Sequence, residues 1–547
     1  MKTTTAKHLA NKLHQAGCRQ AFGMPGGEVL IVMQALAETG IEFTLCKHEN
    51  AAGFMAEGSW QASGAPGILL TTIGPGLANG VNSVANAFQE QVPLIVISGC
   101  VEDKEAQSFT HQIIDQQALM KPITKAHFQV AAGNIDTVID KAIAIAVSDP
   151  PGPVHIDVPH NIADSEVEIT KTGLALSQPG MWPEGDDLNA AREKLRDARR
   201  PILLAGLGAV HHNAGAEILK ICEQFSVPVI TTYKAKGIID ENHPLSLGGH
   251  GLSPRSDAII FPLLALSDCI ILAGYDPIEM RSGWIEPWNS AVAIDLVHAD
   301  IQHGMHGADI RFVGDVAGSL AQLSQRSSSG EVALLSQTWP DGEIDKARTE
   351  LGGMFGDRDE WGPHQVFAMT RNMLPASGVA TIDSGAHRIL LSQMWRCSSP
   401  RTLLQSTAFC TMGVSLPLAI GYAKTMASQG GSQIAPNMVV FVGDAGLEMV
   451  IGELATLRDL KLAIVIVVLV DRSLSLIELK QSRSNLPNLG VDFSATDFVS
   501  VAKAYGGNGH WINDKESLEE ALTQAFNSDS FTLLACNIDK KSYLNAF

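Results

Sequence analysis

Three doubly wound α/β domains in a row, each a parallel sheet covered by helices, are what this sequence predicts. Short apolar runs rich in Val, Ile and Leu alternate with helix-length stretches along the whole chain, the pattern of a parallel sheet. A length of 547 residues also exceeds what one core accommodates. The first block, residues 1–165, opens on an amphipathic helix and places strands at Gln20–Gly23, Glu42–Cys46, Gly67–Thr72, Leu94–Ser98 and Val154–Val158. Glu166–Asp186 is polar and irregular and reads as a linker. The second block, residues 187–325, opens with Pro201–Gly208 and continues through Pro228–Thr232 and Cys269–Gly274. Ser327–Gly330 is Ser/Gly-rich and reads as a second linker. The third block, residues 361–547, contains Val379–Ile382, Val439–Val442, Leu462–Val470 and Phe531–Cys536.

Composition narrows the function classes. With 45 % hydrophobic and 18 % charged residues the chain is a well-buried α/β protein, not a disordered one. A net charge of -19 argues against binding nucleic acid or anionic membranes through charge. The start Met1-Lys2-Thr3-Thr4-Thr5 lacks the apolar stretch of a signal peptide, and the longest apolar run, Leu462–Val470, is too short to span a bilayer. Eight cysteines are scattered without metal-ligand spacing, as expected for reduced thiols in a cytoplasm. Gly206-Leu207-Gly208 begins a dinucleotide-like turn, but His211 stands where the third glycine belongs, so tight turn chemistry explains it better.

The densest chemical pattern lies in the third block. Val439-Val440-Phe441-Val442 runs into Gly443-Asp444-Ala445-Gly446, a helix from Leu447 to Leu460 follows, and the strand Leu462–Val470 delivers Asp471 and Ser473. Asp444 and Asp471, 27 positions apart (444 to 471), fall beyond the carboxyl ends of strands in one β-α-β unit, where open sheets bind ligands. Ala445 and Gly446 leave room for backbone to approach a phosphate. Two carboxylates and a carbonyl oxygen are hard ligands of the kind Mg2+ takes beside a diphosphate. An ordinary β-α-β unit with two acidic loop ends has the same local pattern, so the other motifs decide.

At these residues the chain resembles the thiamine diphosphate enzymes, whose diphosphate motif is Gly-Asp-Gly followed further on by a metal-binding Asn. Ala445 replaces the second Gly and Asp471 the Asn. The resemblance implies Asp444, Asp471 and the carbonyl of Ser473 as Mg2+ ligands, with Asp444, Ala445, Gly446 and Ser473 against the cofactor. Asp471 keeps the oxygen and adds a charge, which either weakens diphosphate binding or tightens the metal. The resemblance covers all three blocks as pyrimidine, middle and diphosphate domains.

In the first block, His48-Glu49-Asn50 precedes a helical run. A carboxylate there is often only a dipole-stabilising surface residue. The resemblance implies instead that Glu49 bonds a pyrimidine nitrogen and activates the cofactor. Gly74-Pro75-Gly76-Leu77-Ala78-Asn79-Gly80 makes a rigid turn. By similarity to the acetohydroxyacid synthases, Pro75 and Asn79 lie beside the pyrimidine and Gln112 is an active-site residue. The spacings of 26 (49 to 75) and 37 (75 to 112) match that subfamily. His111 is either a proton donor or a structural histidine.

On the diphosphate side, Gly385-Ala386-His387 resembles the family's Gly-Gln-His phosphate contact, with Ala386 for the Gln and His387 as donor. Cys410-Thr411-Met412-Gly413 resembles Gly-Thr-Met-Gly, which implies Met412 wedged under a bent cofactor and Cys410 touching it through its carbonyl. Met449 is a further candidate beside the pyrimidine. A helix from Leu474 to Lys480 is expected over the reacting carbon, with Leu476 and Ile477 facing it. Lys480 stands where the biosynthetic enzymes carry a Trp; it either attracts an anionic substrate group or is simply solvated.

The family's chemistry is decarboxylation of a 2-keto acid followed by protonation or by C–C bond formation. Simple decarboxylases carry a His-His pair in the pyrimidine domain, whereas here the pair, His211-His212, is in the middle block, which favours carboligation. Gly274-Tyr275-Asp276-Pro277-Ile278-Glu279 with Trp284 is similar to flavin-free catabolic acetolactate synthases, so no FAD is expected. The resemblance implies a homodimer or homotetramer with sites shared between chains. A non-ligating decarboxylase and a catalytically silent scaffold are the alternatives.

Overall fold

The computed structural model describes residues 2–108, 110–168, 180–301, 303–325, 338–356, 360–428 and 437–547. Three six-stranded sheets follow one another along the chain, and every pairing within them is parallel. Across the first sheet the strands are Glu42–Leu45, Gln20–Met24, Gly67–Thr71, Leu94–Cys100, Pro153–Pro159 and Ala126–Gln129. Across the third they are Leu403–Gln405, Val379–Ile382, Met438–Gly443, Val465–Val470, Thr532–Asn537 and Asn508–Ile512. Numbered within its own unit, each of these two sheets reads 2-1-3-4-6-5. The second reads 3-2-1-4-5-6: Ser246–Gly249, Val229–Thr231, Pro201–Ala205, Cys269–Ala273, Ala293–Val297 and Ile310–Val313.

Strand order decides where a ligand fits. In the first and third sheets the winding reverses between the first and third strands, opening a crevice at their carboxyl ends. Those ends lead into Gly74-Pro75 in one unit, and into Asp383–His387 and Gly443–Gly446 in the other. Central strands such as Val465–Val470 are buried along their whole length, as a parallel sheet covered on both faces requires.

Local differences from the expected elements have physical causes. The stretch read as a linker begins with the strand Glu166–Glu168, which pairs antiparallel with Lys2–Thr4. The second proposed linker, Ser327–Gly330, lies outside the described residues. The helix expected over Leu447–Leu460 is two helices, Asp444–Met449 and Glu453–Leu460, separated by Val450-Ile451-Gly452, where β-branched residues and a glycine disfavour helix. No helix among the described residues is long and apolar enough to cross a membrane.

The first and third units share one apolar core, which runs from Phe22 and Phe54 to Val440 and Ile466. Helix Glu49–Ser63 crosses helix Ser415–Ser428 at two glycines. A Cβ on Gly421 would sit 1.9 Å from the Met55 carbonyl oxygen, and one on Gly58 would sit 2.1 Å from that of Leu418. Nothing larger fits, and the crossing holds the start of the first helix, Glu49, in fixed relation to the third unit.

A buried polar junction joins all three units. Glu90 is 1 % exposed; its Oε1 accepts from the backbone N–H groups of Thr407 (2.7 Å), Ala408 (2.9 Å) and Phe409 (3.2 Å), and its Oε2 lies 2.6 Å from Lys234 Nζ. Glu279 accepts from the Lys234 N–H at 3.1 Å and the Thr407 hydroxyl at 2.7 Å. Asn86 donates to Glu57 at 2.9 Å. Burial, opposed by Lys234 and reinforced by Glu90, pushes the Glu57 carboxyl up to about 7.

An isolated glutamate titrates near 4.3, so below that pH folded and unfolded chains both carry the Glu57 proton. Between there and about 7 only the unfolded chain releases it, and stability falls as pH rises. Glu57→Gln should therefore be more stable than the parent at pH 7.5, by on the order of 1–3 kcal/mol, with the gap closing toward pH 4.5. Thermal unfolding midpoints across that window check this; a gap that does not change with pH would contradict it.

Candidate active site

Glu49 is the first residue of its helix and His48 caps it, accepting from the Asn50 N–H at 3.1 Å. The Glu49 side chain is only 4 % exposed, and Asn79 Nδ2 donates to its Oε2 at 2.9 Å. Gly76 sits against the same carboxylate, since a Cβ there would lie 3.3 Å from Oε1 and 2.7 Å from Thr72 Cγ2. The turn before it depends on Gly74, at φ 59°, where a Cβ would fall 2.0 Å from the Gln112 carbonyl oxygen. Gln116 fixes the turn, accepting from the Gly74 N–H at 2.7 Å while donating to Asp157 at 2.5 Å and to the Gly99 carbonyl at 3.2 Å. The structure thus brings Glu49, Pro75, Asn79 and Gln112 to one end of the first sheet. Pro75, Asn79, His111 and Gln112 are exposed, and Gln112 adopts φ 60°.

In the third unit the two aspartates meet at the strand ends, as their spacing suggests. Asp444 Oδ2 accepts from the N–H groups of Asp471 (3.2 Å) and Arg472 (2.7 Å), and Oδ1 from that of Ala445 (2.9 Å). Asp471 accepts from the Ser475 hydroxyl at 2.6 Å and the Ser473 N–H at 3.1 Å. Burial raises the Asp444 carboxyl; burial, offset by the Ser475 bond but reinforced by the Asp444 charge, pushes Asp471 up to about 7. Two like charges held this close need a cation or a shared proton. Among the described residues no group of three or more acidic, His or Cys side chains forms a ready metal cage. A cation here would draw its other ligands from carbonyl oxygens and from a bound phosphate, the habit of Mg2+.

The facing loops suit a phosphate. His387 Nε2 and Ser384 Oγ are buried without hydrogen-bond partners, and burial holds the His387 ring neutral, its pKa lowered to about 3. Gly443 packs on that ring, with a Cβ position 3.2 Å from His387 Cε1. Gly446 is required: a Cβ would strike Asp383 Oδ2 at 2.1 Å. Ala386 is buried at the start of its helix beside Gly385. Asp383, fully buried, accepts from the N–H groups of Gly413 (2.9 Å) and Val414 (3.0 Å) and so anchors the far end of the Cys410–Gly413 loop. Cys410 takes φ 57°, a conformation that glycine adopts without strain, which explains the Gly of the related motif. Met412 is half-buried beside it, and Met449 is 61 % exposed.

The helix that follows Ser473 runs Ser475–Arg483, with Leu474 at its N-cap position. Leu476 and Ile477 do not share a face: Leu476 packs against the third unit's core and Ile477 is exposed, because adjacent helical positions point about 100° apart. Lys480 is exposed. In the middle unit the loops at Gly206 and Gly274 pack tightly on each other, with a Cβ on Gly274 reaching 2.2 Å from the Ala209 nitrogen. His211 is buried against Trp60 (ring centroids 5.7 Å apart), and His212 lies 3.2 Å from Asp149.

Three residues of the site escaped the sequence reading: Glu90, Asp383 and Gln116. Asp383 directly follows the buried strand Val379–Ile382, and that position was the available signal. Glu90 and Gln116 gave none, because their partners are distant in sequence.

Three family models match the chain. That of the thiamine pyrophosphate enzyme N-terminal TPP binding domain covers residues 3–119, the central domain 188–323 and the C-terminal TPP binding domain 383–536. The chain is 28 % identical over 563 aligned residues to an acetolactate synthase of Bacillus subtilis (strain 168), covering 100 % of this chain and 95 % of that one. It is 29 % identical to a probable acetolactate synthase large subunit of Methanocaldococcus jannaschii, covering 98 % and 92 %, and 26 % identical to a catabolic acetolactate synthase of Raoultella terrigena, covering 97 % and 94 %. With all three models matched in order and most of the chain within them, the protein belongs to the thiamine pyrophosphate enzymes.

Proposed function

We propose that this protein is an Mg2+-requiring carboligase of the acetolactate synthase type, which decarboxylates pyruvate or a related 2-keto acid and joins the remainder to a second carbonyl compound. The observation that carries the reading is the buried Glu49 carboxylate, oriented by Asn79 in the first unit, on a chain whose third unit holds the Asp444–Asp471 pair at two strand ends. The names of its full-length relatives supply the reaction class.

Thiamine diphosphate, when bound, supplies the nucleophilic carbon and the electron sink that decarboxylation requires. The chain's own residues bind, orient and move protons. Asp444, Asp471 and the Ser473 carbonyl would hold the cation, and His387 with Ser384 would donate to phosphate oxygens. Met412 would fill the space beneath the cofactor, its loop held by Asp383 and Glu90. Glu49 would hold a proton at a pyrimidine nitrogen and return it, while Asn79 keeps its carboxylate aimed.

Sites shared between two chains complete the proposal. Pro75, Asn79, Phe409, Met449 and Ile477 are all exposed on the single chain, which suits surfaces that a second copy covers.

With pyruvate, Mg2+ and thiamine diphosphate, the protein should release CO2 and form a product that yields acetoin on acid treatment. Glu49→Gln should slow CO2 release by about 100-fold or more, within the usual range for loss of an acid–base group. Acetaldehyde as the sole product would replace ligation with simple decarboxylation. A Glu49→Gln rate equal to the parent's would remove Glu49 from the mechanism.

A further inference from the structure

Arg388 is 5 % exposed, one residue beyond His387 on helix Ala386–Met394. Its Nε and Nη1 have no hydrogen-bond partner, and it makes no ion pair among the described residues. Only Nη2 is engaged, donating to Cys410 Sγ at 3.4 Å, and that thiol in turn donates to the Thr407 carbonyl at 3.0 Å. The guanidinium therefore lies against the loop that carries Met412. A guanidinium keeps its charge in proteins and cannot relieve burial by losing a proton. Burying a charge without an anion is strongly unfavourable, so such a group marks a place where an anion arrives.

The carboxylates of the neighbouring loops pair elsewhere. Asp383 is held by Gly413 and Val414, Glu90 by Lys234 and the Thr407–Phe409 amides, and Asp257 by Arg281 at 2.7 Å. Lys480, the cation singled out in the sequence for an anionic substrate, is exposed on the surface of its helix, where water already solvates a charge. Arg388 is the dehydrated cation of the two. Nε and Nη1 are unpartnered and shielded from solvent, and Nη2 gives Cys410 only one of its two hydrogens, so one planar edge of two adjacent donors remains to match the two oxygens of a carboxylate.

We infer that Arg388 is a substrate-binding residue that receives the carboxylate of the 2-keto acid beside the Cys410–Met412 loop. This rests on the proposed function, which supplies a 2-keto acid as substrate. A cofactor diphosphate has anionic oxygens of similar chemistry, so the test separates the two sources.

Arg388→Met and Arg388→Lys are made in the full-length protein. Binding of oxamate, an unreactive pyruvate analogue, is measured by calorimetry on protein loaded with thiamine diphosphate and Mg2+. Thiamine diphosphate affinity is measured on cofactor-free protein, and KM and kcat are measured with pyruvate. In Arg388→Met the oxamate Kd and the pyruvate KM should both rise at least tenfold, with cofactor Kd within threefold of the parent's and kcat changed less than KM. Arg388→Lys should recover part of the oxamate affinity. Without ligands, Arg388→Met should unfold at a temperature no lower than the parent, since it removes a buried charge that has no partner. Unchanged oxamate and pyruvate binding overturns the assignment. So does a weakened cofactor with oxamate unaffected, which makes the anion the diphosphate. So too does a marked drop in the ligand-free unfolding temperature, which shows that Arg388 already has a partner. Failure of the parent itself to bind thiamine diphosphate is a separate result: it removes the functional reading, and the substrate assignment falls with it.

Discussion

A single buried carboxylate, Glu90, is the constraint on which the remaining geometry depends. It comes from the first unit, its cation Lys234 from the second, and its three backbone donors from the third. A carboxylate removed from water is tolerable only when both oxygens are paired and hydrogen-bonded. Here the partners lie hundreds of residues apart, so the pairing exists only when all three units are in place. Breaking such a buried pair by removing one member costs about 3–5 kcal/mol. The loop it holds, Ser406–Phe409, leads directly into Cys410–Gly413, and Asp383 holds the far end through Gly413 and Val414. Two buried carboxylates thus clamp the segment that carries Met412, which is the kind of second support a precise cofactor site needs.

The first and third units also share one strand order, and each opens its crevice at the same topological point. One crevice presents a buried acid, Glu49; the other presents the Asp444–Asp471 pair and the unpartnered donors of His387 and Ser384. A cofactor with an organic ring at one end and a diphosphate at the other needs those two chemistries on two separate walls. The glycine crossing of helices Glu49–Ser63 and Ser415–Ser428 sets the relation between these units within a chain, because neither Gly58 nor Gly421 has room for a side chain. The middle unit contributes Lys234 and Glu279 to the junction and so braces the other two.

Much of this was legible in the sequence, and for a physical reason. Strands such as Val439–Val442 and Val465–Val470 are buried on both faces, so they read as uninterrupted apolar runs bounded by Gly and Asp. Asp444 and Asp471 were predictable neighbours because both follow adjacent strands of one β-α-β unit. Five of the six sheet edges were not picked out, among them Ser246–Gly249 and Asn508–Ile512, which are short, rich in small or polar residues and partly solvated. The pairing of Lys2–Thr4 with Glu166–Glu168 left no local trace. Leu476 and Ile477 were expected on one face of the helix that follows Asp471, whereas the helix turns one inward and the other out. Glu90, Asp383 and Arg388 matter through what they meet, and no local spacing records a contact between residue 90 and residues 406–409.

The most direct measurement is the thiamine diphosphate affinity of Glu90→Gln, determined by calorimetric titration in saturating Mg2+ beside the parent. If the Glu90 clamp sets the cofactor-facing loop, the dissociation constant rises tenfold or more while the circular dichroism of the folded chain is preserved. An affinity equal to the parent's, in a protein equally folded, would show that the loop keeps its shape without that carboxylate.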